Sequence, residues 1–445
     1  MTTRITRRAA LGRMAAAGMA APFAFRAYAG AAPSETVNHA SFGANGQALS
    51  DLRDLTKSKN LQLVAVAEVD LSRAADLQKM LRDRMLPDVK VYQDWRELLD
   101  KEKGLDSVNV SVPDHSHAPI TMRAMQQGLA VYTQKPLTQT IYEARQLAKT
   151  AKDKKLVSQM GIQIHSHPFH KAIVAAIQAG AIGKVKEVHS WSGKGWGDKN
   201  PRPDRSDPIP VDFDWQTWLG VAADRPFIKG YYHPSEWRKR LDFGTGTFGD
   251  MGCHILDPVF GSLALTAPTS VRSDGDKPGA DSWALEAKVT YQFPATAQTT
   301  DGFSLHWYHG GQRPPAEVLQ LLGDRKLSSQ GSIFIGADGV LYTPYLDGPA
   351  MLLPADKFKD YKLPKVDGDD HYLQFVEAVR GNGQTSAPFS YAGPLTESVL
   401  LGCLSTRFPQ TTLEWSAADL KITNIDEANA FVRKQYRKGW EVEGL

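Results

Sequence analysis

The chain has 445 residues, 42% of them hydrophobic and 23% charged, a soluble globular composition in a chain too long for one core, so two domains are expected. Its formal charge of +3 rests on five arginines within residues 1–29 (Arg4, Arg7, Arg8, Arg13 and Arg26); without that acid-free segment the charge is −2, which gives no support for nucleic-acid binding. Two cysteines, Cys253 and Cys403, make neither a disulfide framework nor a cysteine zinc site.

Thr6-Arg7-Arg8 followed by Leu11, an Ala-rich run and the small-x-small sequence Ala27-Tyr28-Ala29 resemble a twin-arginine export signal. Residues 1–29 are therefore expected to be a signal peptide, and the protein periplasmic or otherwise exported. The competing reading is a short basic amphipathic helix that stays attached. No later apolar run is long enough to span a membrane.

From residue 35 to 157 short apolar runs alternate with helix-like stretches. "TVNHASFGA", "LQLVAVAEVD", "VNVSVPD" and "LAVYTQKP" read as strands; "ITMRAMQQG" and "EARQLAKTAKDKK" read as helices. Alternation of this kind predicts a parallel sheet with crossover helices, an α/β domain. From 158 to 445 the character changes. "HKAIVAAIQAGAIGK" predicts an amphipathic helix and "VKEVHSWSG" a strand of a second sheet. Residues 193–245, rich in Pro, Gly, Asp and Trp, predict long surface loops. "GDMGCHILDPVFGSLAL" predicts a helix, and "ALEAKVTYQF", "GFSLHWYH", "GSIFIGADGVLYT" and "AMLLP" predict strands of an antiparallel sheet. "HYLQFVEAVRG", "TESVLLGCLSTRF" and "IDEANAFVRKQYRKGW" read as late helices.

"FGANGQALSDL" stands between the first strand and first helix, where a dinucleotide-binding fold carries its glycine-rich turn. Gly43 and Ala48 fit the outer positions, Asn45 stands at the second glycine, and Gly46 follows it. Asn tolerates left-handed backbone angles, which keeps the turn feasible. The plain alternative is a tight turn with no ligand. Glu68 ends the second strand 25 residues after Gly43, where a carboxylate accepts hydrogen bonds from the adenosine ribose and repels a 2′-phosphate. This favours NAD, with NADP left open by Ser72 and Arg73.

"VPDHSHAPITMRAMQQGLAVYTQKPLTQTIYEARQL", "GIQ", "GAIGKVKEV" and "GDMGCHILD", in that order and spacing, resemble the Gfo/Idh/MocA oxidoreductase family from about residue 35 to the C-terminus. The resemblance implies an N-terminal Rossmann domain, a C-terminal α/β domain with a large open, mainly antiparallel sheet, and a homodimer or homotetramer. The family's Glu-Lys-Pro appears as Gln134-Lys135-Pro136. By resemblance Lys135 reaches both the nicotinamide ribose and the substrate hydroxyl, and Asp250 and His254 match the family's catalytic pair.

Oxidation of a secondary alcohol removes a hydride from carbon and a proton from oxygen. That chemistry suits a neutral histidine of near-neutral pKa on the hydroxyl, with Asp250 orienting the ring and Lys135 favouring alkoxide character. The expected reaction is NAD-dependent oxidation or reduction of a secondary hydroxyl of a sugar, polyol or glycoside, with tightly held cofactor. The alternatives are an NAD-dependent glycosidase or lyase acting by transient oxidation, and a sugar-binding protein without turnover.

Pro113 and His117 follow the fourth strand and are expected near the cofactor; capping explains His117 equally. Gln163, His189, His233 and Trp237 are expected on the carbohydrate, with packing or solvent exposure as the other reading. "HSHPFH" (His165, His167, His170) has no familiar zinc spacing, and no metal ligand set is assigned.

Overall fold

Near-continuous apolar strands alternating with one-sided helices can bury both strand faces only as a parallel sheet sandwiched by helices. The computed structural model describes residues 35–445; the signal expected over 1–29 lies outside the described residues. In chain order the first elements are β1 (Val37–Phe42), α1 (Gln47–Leu55), β2 (Leu61–Ala67), α2 (Leu71–Asp83), β3 (Lys90–Tyr92) and α3 (Trp95–Lys101). They continue with β4 (Ser107–Val110), α4 (His117–Gln126), β5 (Ala130–Gln134), α5 (Ile141–Lys154) and β6 (Ser158–Gly161). The six strands form one sheet in the order β3-β2-β1-β4-β5-β6, every pair parallel. Every residue of β4 and β5 is buried. Strand order reverses between β1 and β4, and the crevice beyond their carboxyl ends is where such sheets take ligands. β6 pairs with β5, so the parallel sheet runs past residue 157, where the change of character was expected.

The second half comprises α6 (Pro168–Gln178), β7 (Val185–Ser192), α7 (Trp215–Leu219), α8 (Gly246–Leu263), β8 (Ser270–Ser273), β9 (Ala287–Gln292) and β10 (Thr299–His309). Then come α9 (Ala316–Gln320), β11 (Gln330–Gly336), β12 (Val340–Thr343), β13 (Met351–Leu353), α10 (His371–Val379), α11 (Phe389–Ser405), β14 (Thr412–Ser416) and β15 (Lys421–Ile422). Its nine strands run β13-β12-β11-β7-β10-β9-β8-β14-β15, and β7–β10 is the parallel pair among antiparallel ones. α8 lies on one face, where Phe248 stacks on Trp307 at 4.5 Å between centroids. The opposite face carries Trp191, Tyr308 and Tyr342 in a separate apolar cluster.

Two stretches depart from expectation. Residues 193–245 are not merely surface loop: Phe213, Trp215, Trp218, Tyr232 and Phe243 pack a small core of their own, which aperiodic aromatics do not announce. The helix expected from 425 onward is a short 3-10 stretch, Asp426–Phe431. Beyond it Lys434 bonds Gln139 and Arg437 bonds Gly220 and Gln216, and these tertiary contacts take the place of a continued helix.

Candidate functional site

The glycine-rich turn opens the site. Gly43 has φ +99°, and a Cβ there would stand 2.7 Å from the Ser111 carbonyl oxygen. Glycine is therefore required by both conformation and space. Gly46, φ +58°, starts α1 with no side-chain cap and no acid in the first turn, leaving the positive helix end for an anion. Asn45 does not use the left-handed angle expected of it, since among the described non-glycine residues it is not one with positive φ. Its side chain instead accepts from Gly46 N–H (2.6 Å) and Arg73 and donates to Asp76, tying the turn to α2.

Glu68 accepts from the Ala44 N–H (3.0 Å) and the Asp70 N–H (3.1 Å), so the acidic end of β2 is clamped against the turn. Burial raises its pKa, and these amides and the Arg73 charge work against that rise.

A cleft of about 360 Å³ runs from this turn to the start of α8. Gly43, Asn45, Gly46, Glu68, Pro113, His117, Lys135, His233, Trp237 and Asp250 all line it. His117 bridges the Val112 and Pro136 carbonyls, at 2.8 and 2.7 Å, and holds the Lys135 loop against the end of β4.

At the inner end Lys135 donates to the Asp250 carboxylate at 2.7 Å and to its carbonyl at 2.8 Å. Trp196 Nε1 donates to the same carboxylate at 2.9 Å, and Lys194 and Arg238 stand 3.5 Å away. Burial alone would raise this acid; Lys135, Arg238 and Lys194 together hold it well below the usual carboxylate range. Lys194 and Trp196 escaped sequence reasoning, because "SGKGWGDK" has no periodicity and follows its strand as plain loop.

Asp250 is thus fully engaged by cations and does not orient His254, as had been expected. His254 is half-buried, its Nδ1 enclosed without a partner, and it is not among the residues lining the cleft. Burial first, and then the Lys135 charge, push its pKa down to about 3 rather than leaving it near neutrality.

Asp257, one turn further along α8, is buried and accepts from Tyr391 (2.6 Å) while facing His165 Nδ1 (2.9 Å). The Asp257 charge overcomes burial and raises the His165 pKa. His167 caps α6 and His170 is buried, so the three histidines of "HSHPFH" serve different purposes.

Gln134, where the family has glutamate, donates to both oxygens of the buried Asp51, at 3.0 and 2.9 Å. Asp51 also accepts from Gln47, Ser111 and Tyr372. Burial raises its pKa, and these four donors oppose the rise. A glutamate at 134 would oppose a second carboxylate, so the departure fits the acid on α1.

Three expected sugar contacts sit elsewhere. Gln163 donates to the Tyr132 and Tyr372 hydroxyls (3.0 Å each) and braces that same network instead of lining the cleft. His189 lies on β7 on the sheet face away from α8, beside His306 and Tyr308. His233 does line the cleft but faces Asp70, beside Glu68, at 3.0 Å. Trp237 remains at the inner end, with Arg238 over its ring at 4.3 Å.

A reversed-order parallel sheet with this turn, acid and lysine defines a dinucleotide-binding oxidoreductase with a second, sheet-based domain. Residues 37–162 match the oxidoreductase family NAD-binding Rossmann fold, and residues 171–302 match the family's C-terminal alpha/beta domain. The chain belongs to the Gfo/Idh/MocA oxidoreductase family. It is 23% identical to levoglucosan dehydrogenase of Pseudarthrobacter phenanthrenivorans over 164 residues, 37% of this chain and 34% of that protein. It is 28% identical to inositol 2-dehydrogenase of Rubrobacter xylanophilus over 132 residues, 29% of this chain and 36% of that one. The match thus spans about a third of each relative's length. An inositol dehydrogenase homologue from Azotobacter vinelandii, solved with NADH and myo-inositol, superposes with a TM-score of 0.58 at 16% identity, over 86% of this chain and 98% of that one, a likeness of fold.

Proposed function

We propose that the protein transfers a hydride between NAD and a secondary hydroxyl of a sugar, polyol or glycoside. The observation that carries this reading is the Lys135–Asp250 pair closing the inner end of the cleft whose outer end is the Gly43 turn and Glu68. Gly43, Gly46 and Glu68 fit the cofactor: an uncapped helix end for the pyrophosphate and a carboxylate for the ribose. When bound, the nicotinamide supplies the hydride acceptor or donor. Lys135, held by Asp250, stabilises alkoxide character on the substrate oxygen. His254, neutral at physiological pH and four residues along α8 from Asp250, is the proton acceptor of this reading once its ring reaches the cleft, and Lys135 acidifies the hydroxyl it would serve. Exported through its twin-arginine segment, the protein would carry cofactor loaded before export, and pairing through the open sheet would make it a dimer or tetramer.

The test begins with protein purified without added nucleotide. Co-purified NAD, and a change at 340 nm on adding a panel of sugars and polyols, are the expected results. A protein with millimolar NAD affinity and no change with any substrate overturns the reading. Release of nitrophenol from a nitrophenyl glycoside without net NADH would replace it by cleavage through transient oxidation.

A further inference from the structure

Strand register brings three metal-binding side chains together on the face of the nine-stranded sheet turned away from α8. Glu187 and His189 are two apart on β7 and so share a face. His306 on β10 is the register partner of His189. Their rings lie parallel, 4.5 Å between centroids. His189 Nε2 is 3.3 Å, and His306 Nε2 3.8 Å, from the same Glu187 oxygen, and the three ligand atoms lie within 4.8 Å of one another.

We infer that Glu187, His189 and His306 form a binding site for a zinc-type divalent cation, built on the sheet and separate from the cleft. Two imidazole nitrogens and a carboxylate oxygen are a three-ligand set suited to zinc, cobalt or nickel, with a further position left for water. The other ring nitrogens are held by hydroxyls: His189 Nδ1 by Tyr308 at 3.0 Å and His306 Nδ1 by Thr290 at 3.1 Å. Outer partners of this kind fix ring orientation in metal sites. Glu187 is 38% exposed at the side chain in the single chain, the most open of the three ligands. Lys288 also faces both rings, Glu317 faces His189, and the Ser304 hydroxyl holds His306 Nε2 at 3.1 Å; drawing the lysine aside and displacing that hydroxyl is the cost of occupancy. Bound metal would cross-link the two strands at the centre of the sheet.

The test uses the tag-free full chain, stripped with chelator and titrated with Zn2+ against a chromophoric competitor, and with Co2+ for its visible spectrum. One ion per chain is expected, with a dissociation constant of micromolar or tighter. His306→Gln and the exposed Glu187→Gln should each weaken it at least tenfold, with circular dichroism and NAD affinity unchanged. Absence of Zn2+ binding at 100-fold higher concentrations, or equal binding by wild type and both variants, overturns the assignment; the latter would move the ion to His165, His167 or His170.

Discussion

At the residue scale the site turns on how one lysine and one carboxylate are matched. Lys135→Ala removes the nearest cation from a buried carboxylate and the group proposed to face the substrate oxygen. Turnover should fall on the order of 10³-fold, about 4 kcal/mol, read as kcat with wild-type-like circular dichroism. Retained turnover would move the proton chemistry elsewhere. Gln134→Glu sets a second carboxylate against Asp51 and should cost on the order of 3 kcal/mol in urea unfolding. Adding Asp51→Asn should restore most of it; a double variant no more stable than the single would break the proposed pairing. Lys135, Asp250 and the glycine turn were legible in the sequence because they occupy short motifs at strand ends. The partners that set their charge were not. Lys194, Trp196 and Arg238 arrive from loops whose spacing carries no period, and only folding reveals that they, rather than His254, surround Asp250.

At the element scale α8 carries two acids with different duties. Asp250 in its first turns meets the cleft, and Asp257 two turns on fixes His165. The folded-state pKa of His165 is raised above 6.5, so the pair stabilises the fold fully below the ordinary histidine value and loses that contribution as pH rises through the raised one. Asp257→Asn should lower the His165 midpoint in an NMR titration and remove that fade from the stability profile; an unmoved midpoint would show that another group sets it. Strand alternation was readable in "VKEVHSWSG", but the face was not. Side chains two apart share a face, yet which face meets α8 depends on pairing across the sheet, and this put His189 on the side opposite to the expected one.

At the scale of the whole molecule, β1, β2, β4 and β5 were legible because buried parallel strands are continuous apolar runs, whereas the three-residue β3 and the polar β6 were not. The aromatic core between residues 213 and 243 was hidden, since its members come from turns and short helices with no common spacing. Export belongs to this scale as a proposal. Arg7→Lys with Arg8→Lys should leave the full-length precursor in the cytoplasm, seen by fractionation of the producing cells. Unchanged export would assign translocation to a different route.

Tyr372 of α10 donates to Asp51 at 2.7 Å, and Tyr372, Phe375 and Val376 pack with Val37, Leu61 and Tyr132 of the parallel sheet and Leu55 of α1. The nucleotide-binding half is therefore finished by chain synthesised some two hundred residues after its last strand. On the ribosome, β1 to β6 emerge early but wait, with one apolar flank bare and a buried acid short of a donor, until α10 arrives. Cofactor loading then follows translation instead of accompanying it, and a chain stopped before residue 370 should bind nucleotide poorly despite holding the entire glycine turn.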